Sequence, residues 1–344
     1  MAEEEERSGP HVPTTLQDIA DVVGVSASTV SAVLHTTRST TRVSKKTRER
    51  VESVARQMDY QPNAIARSLR RRETGIIGIY NGYGLYCDAR SAFLGEIIGA
   101  TQVACQCYTK DCLLYRYWDD PTVEGVAQQL VDGRVDGLIL YAPEGDALAE
   151  RLARAPLPVV AVVDALPSLP CVVVNDQVGG ALQAKHIASR GHKRVLYRQT
   201  PHRGQSVVRR FEAFRDEAQR LGLDVVYGRR EQPNETALGE QEKQILSGPA
   251  GERPTAIVAW EDLRAYQAVR ECEAMGLRVP EDIAVIGYDG VPTEGLFMRK
   301  LTTIRAPWSD VATRAMDLLI QMIAGKRVPE ETVLDVELVL GTTT

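Results

Sequence analysis

The twenty residues from Thr15 to Leu34, TLQDIADVVGVSASTVSAVL, are compatible with few folds. Leu16, Ile19, Ala20 and Val23 recur at helical spacing, and Gly24 supplies a tight turn. Ser26 is placed to cap a second helix whose apolar members are Val30, Val33 and Leu34. Two short helices across a glycine turn make a helix-turn-helix. Ser44 then opens a third helix, with Val51, Val54, Ala55 and Met58 on one face. In such a motif the second helix enters the major groove of DNA, so Ala27, Ser28, Thr29 and Ser31 are placed to meet base edges and phosphates. All four are small. Base readout would therefore rest on hydroxyl contacts and methyl packing, with no arginine fork among them.

Charge supports this reading. From Thr14 to Arg72 there are eleven Lys or Arg against five Asp or Glu, a net charge of +6 in a chain whose total is -5. A charge run alone is more often a solvated helix face. Here the positive charge surrounds a groove-reading motif, where a phosphate backbone would be met. Residues 1–13 are acidic and polar, which predicts a disordered acidic tail and is the opposite of a secretory signal. No apolar run approaches the ~20 residues that span a bilayer, so a cytoplasmic chain is expected.

The ordered pairs and triplets Thr15-Leu16, Asp18-Ile19-Ala20, Gly24-Val25-Ser26, Thr29-Val30-Ser31, Val43-Ser44, Thr47-Arg48, Pro62-Asn63 and Ala66-Arg67-Ser68-Leu69, with Tyr60, resemble the lactose-repressor/galactose-repressor (LacI/GalR) family of bacterial regulators. The resemblance implies a helix-turn-helix domain at 14–60 and a hinge helix and linker at 61–74, followed by an effector-binding and dimerisation domain at 75–344. It also implies a DNA-contacting set of Thr15, Ser26, Ala27, Ser28, Thr29, Ser31, Asn63 and Arg67, with Leu69 wedged into the minor groove. Leucine is among the side chains that unstack a base step. Many relatives carry arginine where Ala32 stands and asparagine where His35 stands, and the loop 35–42 is about three residues longer than usual. His35 and Arg38 are placed to add contacts from that loop.

After Gly75, short apolar runs alternate with amphipathic segments. Strands are expected at 75–80, 112–115, 137–140, 159–163, 171–174, 194–197, 256–259 and 283–287, and helices at 93–104, 123–131, 178–189, 208–221 and 263–275. Such alternation argues for doubly wound parallel sheets. Some 270 residues exceed what one such sheet needs, so two α/β lobes are expected. The resemblance makes them periplasmic-binding-protein-like, joined by three crossovers, with lobe 1 at about 75–191 and 306–328 and lobe 2 at about 192–305 and 329–344.

Open α/β sheets bind ligands at the carboxyl ends of their strands. Asp176 follows CVVV, Arg210 lies in the helix after the 194–197 strand, Glu261 follows AIVA, and Asp289 follows AVIGY; all four coincide with positions that contact effector in the resembled family. Carboxylates accepting from vicinal hydroxyls, with an arginine donating back, suit a sugar-like effector. Relatives usually have Asn-Asp after the 256–259 strand, whereas this chain has Trp260-Glu261-Asp262, a charged acceptor in place of an amide; residues 81–90 also depart from the usual first loop, so Tyr83, Tyr86 and Asp88 are candidates for the pocket lining. Trp260 and Trp308 are candidates to stack on a sugar face, or to be ordinary core.

Other classes fit less well. Gly82-Tyr83-Gly84 begins like a dinucleotide loop, but Cys87 takes the third glycine's place, and the chain has neither GK[ST] nor G-x-S-x-G. Five scattered histidines offer no metal spacing. Cys105, Cys107 and Cys112 span a helix end and a strand with no histidine near, and are better read as buried reduced thiols than as a metal site. The sequence thus describes a ligand-responsive, DNA-binding repressor that acts as a homodimer on a pseudo-palindromic operator. It needs no cofactor or metal and does no catalysis. The alternative is that the two-lobe region is a sugar-binding or enzymatic α/β domain whose ligand is a nucleobase or another non-sugar metabolite.

Overall fold

A computed structural model describes residues 14–34, 43–63, 73–83, 92–116, 122–199, 204–228, 237–291 and 300–344, together with 66, 68 and 71. The chain divides into two units, Met1–Arg72 and Glu73–Thr344.

In the first unit, α1 (Leu16–Val23), α2 (Ala27–Leu34) and α3 (Lys45–Gln57) bury Ile19, Ala20, Val23, Val30, Val33, Val51 and Ala55 against one another. Local chemistry sets the helix ends. Thr15 and Asp18 satisfy each other's backbone N–H in a capping box, and Gly24 closes α1 in the left-handed region at φ 77°. Ser26 and Ser44 accept from the N–H groups of Thr29 and Thr47, at 3.2 and 3.1 Å. The Thr14 hydroxyl donates to the Met58 carbonyl at 2.8 Å, tying the end of α3 to the start of α1.

In the second unit, β1 (Ile76–Asn81), β2 (Asp111–Leu114), β3 (Gly137–Tyr141), β4 (Val159–Val162), β5 (Cys171–Val174) and β11 (Glu331–Leu334) form one parallel sheet, ordered β11-β5-β4-β3-β1-β2. A second sheet, β12-β10-β9-β8-β6-β7, contains β6 (Arg194–Arg198), β7 (Asp224–Gly228), β8 (Ala256–Ala259), β9 (Ala284–Asp289), β10 (Thr302–Arg305) and β12 (Glu337–Val339). Among the described residues only β12 runs antiparallel to its neighbour. Central strands such as VVAV and CVVV are buried on both faces, as parallel strands covered by helices must be.

The first sheet carries α4 (Ala92–Cys107), α5 (Val123–Leu130), α6 (Ala147–Leu152) and α11 (Trp308–Ile323). The second carries α7 (Asp176–Ser189), α8 (Gln205–Arg220), α9 (Glu240–Leu246) and α10 (Asp262–Ala274). The chain crosses between sheets three times, after β5, β10 and β11.

All eight expected strands are present, and the structure moves two lobe boundaries. Helix α7 was assigned to lobe 1, but its Ala184 and Ile187 are buried with Tyr197 and Phe214 in the second lobe. Segment 329–334 was assigned to lobe 2, but β11 pairs with β5 and extends the first sheet. Strands β7, β10, β11 and β12 were not anticipated. Three of them, β7, β11 and β12, lie at sheet edges, where a strand needs little apolar pattern to pair. Cys105 is buried as expected, but Cys107 and Cys112 are exposed, a correction to the reading of all three as buried thiols. Among the described residues no helix is long and apolar enough to cross a membrane.

Candidate functional site

The two lobes meet near the carboxyl ends of their strands, where Asp164 contacts Ser206, and the second lobe supplies a charged cluster there. Arg210, on α8, donates through Nε to Asp176 at 2.6 Å. Its Nη1 donates to Asp289 at 3.2 Å and to the Trp260 carbonyl at 3.1 Å. The guanidinium lies over the Tyr288 ring, 3.7 Å from its centroid, and the Tyr288 hydroxyl donates to Asp176 at 3.3 Å. Three of the expected effector residues are thus brought into one cluster, together with the Trp260 backbone. Close helix packing makes this possible. A Cβ on Gly179 would fall 2.3 Å from the Tyr288 hydroxyl, and one on Gly180 would fall 2.2 Å from the Arg210 carbonyl oxygen. Gln183, deep in α7, donates to the carbonyls of Ala259 and Gly287 and locks the helix to β8 and β9.

Two carboxylates share one guanidinium here, so the fully ionised cluster carries a net negative charge in a dry setting. Burial pushes Asp176 up to about 6 and Asp289 up to about 7, with Arg210 pulling both the other way. Burial alone would weaken the proton's hold on Arg210, but Asp176, Tyr288 and Asp289 outweigh it. Asp262 sits beside Asp289, takes hydrogen bonds from Thr303 and the Val291 N–H, and is pushed well above the carboxylate range by burial and by Asp289. Asp289 itself occupies φ 109°, a strained conformation for a non-glycine residue of the kind that gathers at binding sites. The Oδ2 atom of Asp176 is buried without a hydrogen-bond partner among the described residues.

Glu261 pairs with Arg264, whose guanidinium lies 4.8 Å from the centroid of the half-buried Trp260 ring. The Arg264 backbone is held in turn by Arg198, which donates to its carbonyl at 2.8 Å. Arg198 is anchored by Glu242 in an ion pair with both side chains fully buried. Arg264, Arg198, Asp262 and Tyr288 were not singled out from sequence. Position at a strand's carboxyl end was the available signal for Arg198 and Tyr288. Nothing local marks Arg264, in the first turn of α10.

The first lobe closes the other wall. The Tyr83 ring packs at 4.5 Å on Tyr141, and its hydroxyl donates to Asp164. Asp164 also accepts from the Ser206 N–H at 2.7 Å. Because Gly204 gives α8 no side-chain cap, a carboxylate from the opposite lobe takes that role. Asp164→Ala should therefore loosen the contact between lobes, with a stability loss of about 1 kcal/mol typical of a lost cap. Urea unfolding of the full chain measures it, and an unchanged midpoint would mean water replaces the carboxylate. Trp308 is corrected: it is 2% exposed, packed edge-on to Phe93 in the first lobe's core, and presents no open face for stacking.

In the first unit, Ser26 and Ser28 are exposed at the start of α2, with Ala27, Thr29 and Ser31 half-buried behind them. The Ser26 hydroxyl bonds those of Ser28 and Thr29 at 2.7 and 2.9 Å, so DNA would have to compete for these groups. Thr15 caps α1, and Asn63 accepts from the Ala66 N–H at 3.2 Å. His35, Arg38, Arg67, Leu69, Tyr86, Asp88 and the tail 1–13 lie outside the described residues.

The family model described as bacterial regulatory proteins, lacI family, matches residues 15–63, and that of a periplasmic binding protein-like domain matches residues 184–344. The chain is 30% identical over 324 residues to the HTH-type transcriptional repressor PurR of Escherichia coli O139:H28 (strain E24377A / ETEC), covering 91% of each. It is 27% identical over 328 residues to the repressor of the same name from Mannheimia succiniciproducens, covering 93% of this chain and 95% of that one. Among solved structures it is similar to the lac repressor dimer bound to operator and the anti-inducer ONPF, with TM-score 0.81 and 27% identity, covering 96% of this chain and 99% of that one.

Proposed function

The chain belongs to the lacI family of bacterial regulatory proteins and is a transcriptional repressor with a DNA-binding headpiece and an effector-binding body, and we propose that its effector is an uncharged, sugar-like polyol. The observation that carries this reading is the Arg210 cluster. Its guanidinium is already neutralised by Asp176 and Asp289, so no spare positive charge is offered to an anionic ligand. What remains are carboxylate oxygens, which accept from hydroxyls, and the Trp260 ring as an apolar wall. The protein acts as a homodimer in the cytoplasm, where paired headpieces meet a pseudo-palindromic operator. The cleft binds its ligand without turning it over, because binding alone suffices to shift a two-state equilibrium.

A thermal-shift series with neutral sugars, sugar phosphates and nucleobases tests the assignment. A ligand at about 100 times its Kd adds about 2.7 kcal/mol of stability. A neutral sugar should raise the midpoint and a sugar phosphate should not. A shift produced only by nucleobases would overturn the carbohydrate reading and leave the repressor in place. With the sugar in hand, Glu261→Gln should weaken binding roughly tenfold or more, the scale of one charge-assisted hydrogen bond. Unchanged affinity would mean that Glu261 serves only Arg264.

A further inference from the structure

Residues 73–75 join the DNA-binding unit to β1, and they are held far more firmly than the sheet requires. Parallel pairing already supplies the bonds from the Asp111 N–H to the Gly75 carbonyl, 2.9 Å, and from the Asp136 N–H to the Ile76 carbonyl, 2.8 Å. Beyond these, one carboxylate collects four donors. Asp136 Oδ1 accepts from the Thr74 N–H at 2.6 Å and the Thr74 hydroxyl at 2.9 Å, and Oδ2 accepts from the Gly75 N–H at 2.8 Å and Lys110 Nζ at 3.1 Å. Lys110 also pairs with Glu73. The Asp136 and Lys110 side chains are only 7% and 10% exposed. Burial alone would raise the Asp136 carboxyl, but the bonds from Thr74, Gly75 and Lys110 outweigh it and hold it below the usual range.

Lys110 stands in the turn that follows α4, and α4 is fastened along α11 at two places. Ser309 donates to Glu96 at 3.1 Å near the start of α11, and the Tyr108 hydroxyl donates to Asp317 farther along it. Helix α11 begins at Trp308, directly after the crossover from the second lobe. A continuous set of packed, hydrogen-bonded elements therefore runs from a crossover between the lobes to the residues where the tether begins.

We propose that Asp136 and Lys110 are positioning residues for DNA recognition: they clamp the root of the tether, so that the body can hold two headpieces in register on one operator. The inference rests on the paired-repressor reading above. Without the clamp, Glu73 and Thr74 at each root would be free to move, and the second headpiece would find its half-site at a lower effective concentration.

The test uses the full-length chain and a duplex enriched by it from a randomised DNA pool, beside the same duplex with one half-site scrambled. Asp136→Asn should lower affinity for the full site about tenfold, while half-site affinity stays at the wild-type value because each headpiece is intact. Lys110→Gln should shift affinity in the same direction by a smaller factor, and Lys110→Arg should restore it. A merely structural role would move neither the full-site to half-site ratio nor its rescue by arginine. If Asp136→Asn fails to fold, Lys110→Gln, which leaves the Thr74 and Gly75 bonds in place, decides. Wild-type full-site affinity in both Asp136→Asn and Lys110→Gln would overturn the clamp. A wild-type chain with no preference for the full site would instead overturn the paired reading on which it depends.

Discussion

Arg210→Ala is expected to abolish the ligand response and lower the melting temperature of the effector-binding body by on the order of 10 °C, while operator binding persists. The size follows from what the substitution leaves behind. Arg210 is 4% exposed and contacts Asp176 and Asp289, which are 1% and 9% exposed, so alanine strands two carboxylates in a site that water scarcely reaches. Removing one partner of a buried ion pair typically costs about 3–5 kcal/mol, mostly the penalty of the unpaired charge. The cation over Tyr288 is lost at the same time. The headpiece core of Ile19, Val30 and Val51 lies in a separate unit and keeps its packing. Calorimetry of the full chain and operator titrations with and without ligand check both halves. A melting temperature within about 2 °C of wild type, roughly half to one kcal/mol, would mean that the two aspartates are neutral or solvated without Arg210.

The helix-turn-helix and the central strands were legible in sequence because their determinants are local. Thr15, Gly24, Ser26 and Ser44 announce helix ends through bonds to residues at most four positions away. Strands such as CVVV announce themselves by unbroken apolar character, which burial on two faces demands. Edge strands were not legible. Strand β11, ETVL, alternates exposed and half-buried residues, and its place beside β5 is decided by contacts some 160 residues distant in the chain. The fate of α7 was hidden for the same reason: Gly179 and Gly180 mean little until Tyr288 and Arg210 are seen against them.

The cleft divides the same way. Asp176 and Asp289 were found because a carboxylate just past a buried parallel strand is conspicuous, and Arg210 because it coincides with an effector position of the family. That Arg210 serves these two carboxylates needed three dimensions. So did the cross-lobe cap by Asp164 on Ser206, whose partners lie 42 residues apart. Trp308 shows the converse. The sequence left its ring open between a stacking face and ordinary core, and only the packing on Phe93 and the α11 core decides for the core.

Across neutral pH, the stability of the wild-type body should fall while ligand affinity rises, and Asp289→Asn should lessen both trends. Burial pushes the Asp289 carboxyl up to about 7, from an ordinary 3.8. Between those values the folded chain holds a proton that the unfolded chain has released, so this stabilisation is complete below 3.8 and is lost as pH rises through 7. From pH 5 to 8 the loss attributable to Asp289 is about 3 kcal/mol, at 1.36 kcal/mol per pH unit. Asp176, pushed up to about 6 by the same burial, adds a loss of the same sign at slightly lower pH. Asparagine does not titrate, so urea unfolding should show Asp289→Asn gaining on wild type as pH rises. The ligand runs the other way. A hydroxyl that donates to Asp289 needs the carboxylate, so binding expels the proton and affinity climbs until pH passes 7, then levels. Affinity that fell together with stability as pH rose would mean the ligand accepts from a protonated Asp289, and the hydroxyl-donor chemistry proposed for this site would be wrong.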